Sequence, residues 1–161
     1  MRITVKALGD HTGRIAEIPR GTRVVAEGPF GVFTAETRRR DKTLLIGGGI
    51  GITPIRALIE ELDGDVVALY RVVHDEEVVF REELETLAEE RGVRVVLVVG
   101  DHLSEDGGRL LSTAHLRELV PDVAEREIYL CGPPAMTAAV EKSLRRARVP
   151  RRHVHIERFA L

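Results

Sequence analysis

Two glycine breaks hold the chemistry this sequence can offer. The first is Gly47-Gly48-Gly49-Ile50-Gly51-Ile52-Thr53-Pro54. A diphosphate comes close to a backbone only where no Cβ stands in the way, and a helix starting directly afterwards turns N–H groups and its positive dipole end towards the anion. Gly49-x-Gly51-x-x-Pro54 departs from the common G-x-G-x-x-G spacing by closing on proline. By spacing alone the turn therefore reads either as a nucleotide cradle or as a tight packed turn. The second break, Cys131-Gly132-Pro133-Pro134-Ala135-Met136, repeats the pattern near the C-terminus and contains the chain's one cysteine.

Each break needs a strand before it and a helix behind it. The uncharged run from Thr43 to Gly48 reads as a strand buried on both faces, and Pro54 suits the first turn of a helix reaching about Leu62. Residues 128–131 form a similar run, followed by a helix from Pro134 to about Arg148. Between them lie a strand over 66–73 and a helix over 79–90, with Val79, Phe80, Leu84 and Leu87 at helical spacing. An apolar strand over 93–99, a polar loop over 101–108, a short helix capped by Ser112 or Thr113 and a last strand over 153–159 complete the pattern. This alternation predicts an α/β fold, a doubly wound parallel sheet of about five strands, with both breaks at one crevice outside the strands' carboxyl ends.

The first part is different in character. Residues 2–8, 22–27 and 32–34 read as a few antiparallel strands among turn clusters, too few to bury both faces. Residues 1–40 therefore read as the end of a larger β domain whose beginning is missing, and 41–161 as the α/β domain. Arg38-Arg39-Arg40-Asp41-Lys42 reads as a solvated link.

Composition narrows the function classes. Among 161 residues, 24 Lys and Arg stand against 26 Asp and Glu, a net charge of -2 that lacks the basic footprint of a nucleic-acid binder. Aromatics at 4% and no tryptophan argue against base-stacking platforms. One cysteine excludes an internal disulfide framework and fits a reducing compartment. No apolar run is long enough to cross a bilayer, and Met1-Arg2-Ile3-Thr4-Val5-Lys6 alternates like a strand and does not resemble a signal peptide. A cytoplasmic location is expected.

Taken in order, Gly47 to Pro54, Phe80-Arg81-Glu82-Glu83-Leu84, Cys131 to Met136 and Glu157-Arg158-Phe159 resemble the pyridine-nucleotide domain of the ferredoxin-NADP reductase superfamily. Val5-Lys6-Ala7-Leu8-Gly9-Asp10-His11-Thr12, Gly21-Thr22-Arg23-Val24 and Gly28-Pro29-Phe30-Gly31-Val32-Phe33 look like the closing strands of its flavin-binding barrel, so the likeness spans the chain. The form Gly9-Asp10-His11-Thr12 is most similar to the ferric reductase and NADPH oxidase branch, in which such a module sits on the cytoplasmic side of a haem-bearing membrane domain.

The resemblance implies a flavoprotein oxidoreductase that passes hydride from NADP- or NAD-type nucleotide to FAD and then electrons to a haem, iron-sulfur or ferric acceptor. It implies that Gly48, Gly49, Ile50, Gly51, Thr53 and Pro54 hold the diphosphate, with Thr53 towards the nicotinamide. Cys131 and Gly132 would line the nicotinamide pocket, with Pro133 and Met136 also among the cofactor-binding residues, although a core role explains Met136 equally. Cys131 would shape that pocket without acting as a nucleophile. Glu157 and Phe159 would lie beside the flavin and complete a catalytic set with Cys131, and Gly9 and Thr12 belong to the flavin's surroundings. The family's Arg-x-Tyr/Phe-Ser/Thr flavin signature has no counterpart, so the FAD site is incomplete. Full activity would need the missing flavin-binding segment and an electron-acceptor domain or protein, a haem membrane domain or an iron-sulfur protein.

Arg71 and His74 follow the second strand, where a carboxylate suits a free ribose and a cation suits a 2′-phosphate. Asp75, Glu76 and Glu77 pull towards the ribose, so NAD against NADP stays open. Arg109 is a candidate for the adenosine half or a surface cation. His153 and His155 share a strand face but lack a matching ligand set, and no metal is expected. The cluster Arg145, Arg146, Arg148, Arg151 and Arg152 complements a helix C-terminus or docks an acidic acceptor. Two other classes compete: a nucleotide-binding regulatory module without redox turnover, and an interaction domain in which the glycine turn only packs.

Overall fold

The computed structural model describes residues 3–7, 9–28, 31–101 and 107–158. They form two compact units, Met1–Val32 and Phe33–Leu161.

In the first unit a one-turn helix, α1 (Asp10–Gly13), follows Gly9 and runs into a 3-10 turn at Arg14–Glu17. Thr12 closes it locally: its hydroxyl accepts from the Gly9 N–H at 3.1 Å and lies 3.2 Å from the Gly9 carbonyl. The antiparallel strands expected in this part are not found: residues 3–7, 22–27 and 32–34 join no ladder among the described residues. Alternation supplies an apolar face, but a strand also needs a neighbour and a cover. Val24 is 74% and Val25 99% exposed.

The second unit has the expected α/β architecture. Its strands are β1 (Thr43–Gly48), β2 (Val66–Val72), β3 (Arg94–Val99), β4 (Glu127–Gly132) and β5 (Val154–Arg158), all parallel, in the order β3-β2-β1-β4-β5. Its helices are α2 (Ile52–Glu61), α3 (Arg81–Arg91), α4 (Thr113–Leu119) and α5 (Pro134–Arg146). Successive strand residues point to opposite faces, which splits the core in two. Leu44, Ile46 and Leu130 pack with Leu116, Val140 and Leu144; Leu45, Ala68 and Tyr129 pack with Ile55, Ile59 and Leu84. Every residue of β1 and β4 is buried, which is why those runs are nearly free of charge. The chain winds outward from β1 through β2 to β3, then returns to the other side of β1 as β4. That reversal opens a crevice at the carboxyl ends of β1 and β4.

The compact unit reaches back to Phe33, beyond the boundary expected near Arg40, because Tyr129 gathers this segment. The Phe33 ring meets Tyr129 edge-on at 5.4 Å. The Tyr129 hydroxyl lies 3.0 Å from the Thr34 carbonyl and 3.1 Å from the Thr37 hydroxyl. Nor is the charged link merely solvated: Arg38 donates to the Asp63 carbonyl at 2.6 Å, Arg40 to the Ala124 carbonyl at 2.9 Å, and Lys42 to Asp122 at 2.8 Å.

Helix α5 ends before Arg148, which takes a left-handed φ of 67°. The N–H of Arg148 bonds the Arg145 carbonyl at 3.1 Å and that of Val149 bonds the Leu144 carbonyl at 3.0 Å, a Schellman close. An L-residue is strained there, so Arg148→Gly is expected to raise stability by about 1 kcal/mol, read as a higher urea midpoint.

At the amino ends of the central strands, away from the crevice, Arg126, 5% exposed, ties β1, β2 and β4 together. It forks onto Asp65 (2.9 and 2.9 Å) and Asp122 (2.7 and 3.1 Å), and reaches the Thr43 carbonyl at 3.2 Å. The Arg126 hydrogen bond, helped by Lys42, holds the Asp122 carboxyl at about 2, below its ordinary 3.8. Because the folded value is the lower one, this stabilisation is complete above about pH 4 and fades as pH falls towards 2. Its size is on the order of 1 kcal/mol once solvent screening is allowed for. Urea unfolding at stepped pH should show wild type losing stability across that window, and Asp122→Asn a flatter profile.

Candidate functional site

Strand register places the candidate residues in one row across the crevice. Gly48 stands opposite Arg71 on β2, Arg71 opposite Val98 on β3, and Gly132 opposite Arg158 on β5. Gly47 pairs with Cys131, and Cys131 with Glu157. The two glycine breaks therefore meet at the β1–β4 reversal.

Their backbones touch. A Cβ on Gly51 would stand 2.3 Å from the Cys131 carbonyl oxygen and 2.9 Å from the Gly132 Cα. One on Gly48 would stand 2.3 Å from the Met136 sulfur, so Met136 roofs Gly48. Gly49 differs: its φ is +53° and nothing lies within 4 Å of its Cβ position. The turn is thus packed against β4 at Gly51 and open at Gly49, the shape of a backbone cradle for an anion.

Helix α2 begins at Ile52, so Pro54 stays within its first turn, where a missing N–H costs little. The Thr53 hydroxyl donates to the Ile50 carbonyl at 3.0 Å and locks the turn. Neither α2 nor α5 has an acidic residue in its first turn or a side-chain cap, so two positive dipole ends flank the crevice. Pro133 precedes α5 and Pro134 opens it.

Cys131 is fully buried. Burial pushes its thiol up to about 12, and the nearby Glu157 carboxylate adds to this. From an ordinary 9.0 this leaves roughly a thousandfold less thiolate at neutral pH. Cys131 should therefore resist a disulfide reagent at pH 8 while the chain is folded and react fully in urea; rapid reaction of folded protein would contradict this burial.

On the β2 side, Arg71 donates through Nη1 to the carbonyls of Val72 and Val98, the latter at 3.3 Å. The Glu77 carboxylate accepts the N–H of Val73 at 3.1 Å and of His74 at 3.4 Å. Asp75 pairs with Arg81 at 2.7 Å, and Arg109 with Glu118 at 2.7 Å. Glu157 is exposed on β5. Gly9 and Thr12 make their own turn in the first unit, and Phe159 lies outside the described residues.

One constellation goes beyond the motifs. His153 Nδ1 and His155 Nε2 approach the two oxygens of fully buried Glu127 at 2.9 and 2.7 Å, and His155 stacks on Tyr129 at 4.7 Å. The shared strand face of the histidines was readable from their spacing; Glu127 comes from a neighbouring strand and left no local signal.

The model of the oxidoreductase NAD-binding domain matches residues 45–142. The chain is 31% identical over 165 residues to the ferredoxin reductase component of 3-ketosteroid-9-alpha-monooxygenase from Rhodococcus rhodochrous, covering 98% of this chain and 46% of that protein. It is 30% identical over 173 residues to the glycine betaine monooxygenase reductase subunit of Chromohalobacter salexigens, covering 98% and 46%. Among solved structures, the Amycolatopsis cytochrome P450 reductase GcoB matches with a TM-score of 0.66 at 26% identity, over 82% of this chain and 42% of its own. The chain spans about half the length of the curated relatives it matches.

Proposed function

Since the chain belongs to the oxidoreductase NAD-binding domain family of the ferredoxin-NADP reductase superfamily, we propose that it is the pyridine-nucleotide half of a flavin-dependent reductase. Its acceptor would be an oxygenase component or ferredoxin carrying iron-sulfur or haem. The observation that carries this reading is the turn closed on β4 at Gly51 and open at Gly49, between two uncapped helix N-termini. The relatives that support it are reductase components of monooxygenases, which favours such partners over the ferric reductase branch or a haem membrane domain.

When bound, the reduced nicotinamide supplies a hydride, which a flavin accepts and hands on as electrons. The protein's own part is positional. Backbone N–H groups around Gly49, Ile50 and Thr53 hold the diphosphate, and Pro54 keeps the α2 entry in shape. Cys131 and Gly132, with Pro133 and Met136 over them, form a dry wall for the nicotinamide, and the un-ionised Cys131 thiol adds bulk without charge. Glu157 and Phe159 stand on the flavin side. The unit Met1–Val32, with Gly9 and Thr12, serves as the remnant of the flavin barrel, and Phe33–Leu161 as the nucleotide domain. No helix among the described residues is long and apolar enough to cross a membrane, and we place the module in the cytoplasm.

The test is to join the chain to a flavin-binding barrel and supply FAD, NADH or NADPH, and ferricyanide. Flavin uptake with nucleotide-dependent ferricyanide reduction is the expected result. Nucleotide binding without reduction would favour a regulatory module instead.

A further inference from the structure

We infer that this site selects NADH over NADPH, and that Glu77 is the residue that makes the selection. The inference rests on the nucleotide reading above and deepens it.

The row of strands fixes which end of the crevice matters. With Cys131 at the nicotinamide end on β4, the adenosine half lies on the other side of β1, over the carboxyl ends of β2 and β3. Arg71 lies near the end of β2, Glu77 and Asp101 act on it electrostatically, and His74 and Asp75 lie on the turn that follows β2. Arg71 lies one strand across from Gly48. Its Nη1 is already committed to the carbonyls of Val72 and Val98, so its guanidinium lies along the sheet end. Glu77 and Asp101 thus set two carboxylates against one cation.

Glu77 is held in an oriented pose. Its Oε2 accepts two backbone N–H groups, from Val73 and His74, while Oε1 makes no hydrogen bond among the described residues. A vicinal ribose diol is a donor pair that such a carboxylate accepts directly. A 2′-phosphate brings about two negative charges and acceptor oxygens only, and meets the same carboxylate with repulsion. Arg81 is paired with Asp75, and Arg109 with Glu118. Neither helix dipole reaches this turn, since the dipole acts within the first turn of its own helix.

Amide-resolved NMR titrations of the whole 161-residue chain with NADH and with NADPH test this, on wild type, Glu77→Gln and Glu76→Gln. Glutamine keeps an acceptor for the Val73 and His74 N–H groups but removes the charge. Wild type should bind NADH tighter by roughly tenfold or more. Glu77→Gln should cut that ratio several-fold by weakening NADH and strengthening NADPH, while the exposed neighbour Glu76→Gln leaves it in place. Equal or tighter binding of NADPH by wild type would overturn the inference, as would a ratio untouched by Glu77→Gln or moved equally by Glu76→Gln. Failure of the folded wild type to bind either nucleotide is a different result, and would overturn the nucleotide reading itself.

Discussion

Gly51→Ala is expected to destabilise the chain by about 3 kcal/mol and to remove nucleotide binding at concentrations that saturate wild type. The reason is what the new methyl would strike. It would stand 2.3 Å from the carbonyl oxygen and 2.6 Å from the carbonyl carbon of Cys131. Those atoms belong to β4, which is fully buried and paired on both sides by β1 and β5, so they cannot swing aside as a side chain would. The turn must lift off β4 instead, which tilts the start of α2 and opens the cradle. Two neighbouring glycines are the controls. At Gly48 the obstacle is the end of the flexible Met136 side chain, and at Gly49 only the left-handed backbone matters, so alanine at either should cost nearer 1 kcal/mol. Urea unfolding followed by circular dichroism gives the ranking. Equal losses at all three positions would mean that the turn is not pressed on β4. A bulkier but unbranched Gly49→Leu should cost little more than alanine there and still block binding, because it fills the open space.

Arg126→Ala is expected to destabilise by about 3–5 kcal/mol, the range for breaking a buried charge network by removing one partner. The guanidinium satisfies two carboxylates and the main chain at the starts of β1 and β2, and alanine leaves Asp65 and Asp122 facing each other without their shared cation. Arg126→Lys should recover little, because an ammonium cannot fork onto Asp65 and Asp122 together. The contrast is Arg109→Ala. Arg109 and Glu118 are 63% and 60% exposed, so losing that pair should shift stability by less than about 0.5 kcal/mol. Urea midpoints at neutral pH compare the two, and a similar small effect at Arg126 would show that the network is not cohesive.

Legibility in the sequence tracked locality. The parallel sheet could be read because β1 and β4, buried on both faces, carry no charge apart from Glu127, and because glycine marks where a chain must pass close to another. Helix α2 starts at Ile52 and not Pro54 because proline is tolerated throughout a first turn, so it marks a region and not a residue. The Arg126 network could not be read: Asp65, Asp122 and Thr43 meet only through the strand register. The same is true of Glu127, whose two histidine partners could be read only as a pair on one strand face without a matching ligand set. In the first unit, alternation suggested strands at 2–8 and 22–27, but pairing depends on a partner that local pattern does not specify. At the candidate site the residue types were readable, whereas their commitments were not. Arg71 looked like an available cation until its bonds to the Val72 and Val98 carbonyls were seen, and Glu77 was one acid of three until its clamp on Val73 and His74 singled it out.

The central claim is that the turn between β1 and α2 holds a nucleotide diphosphate, with Cys131 at the nicotinamide end. An amide-resolved NADH titration of the folded chain tests it most directly. The account predicts saturable shifts concentrated at Gly49, Ile50, Gly51, Ile52 and Thr53 and at Cys131 and Gly132, with the Arg126 end of the sheet silent. Shifts centred on the Arg126 end, or none anywhere in a folded chain at millimolar nucleotide, would contradict it.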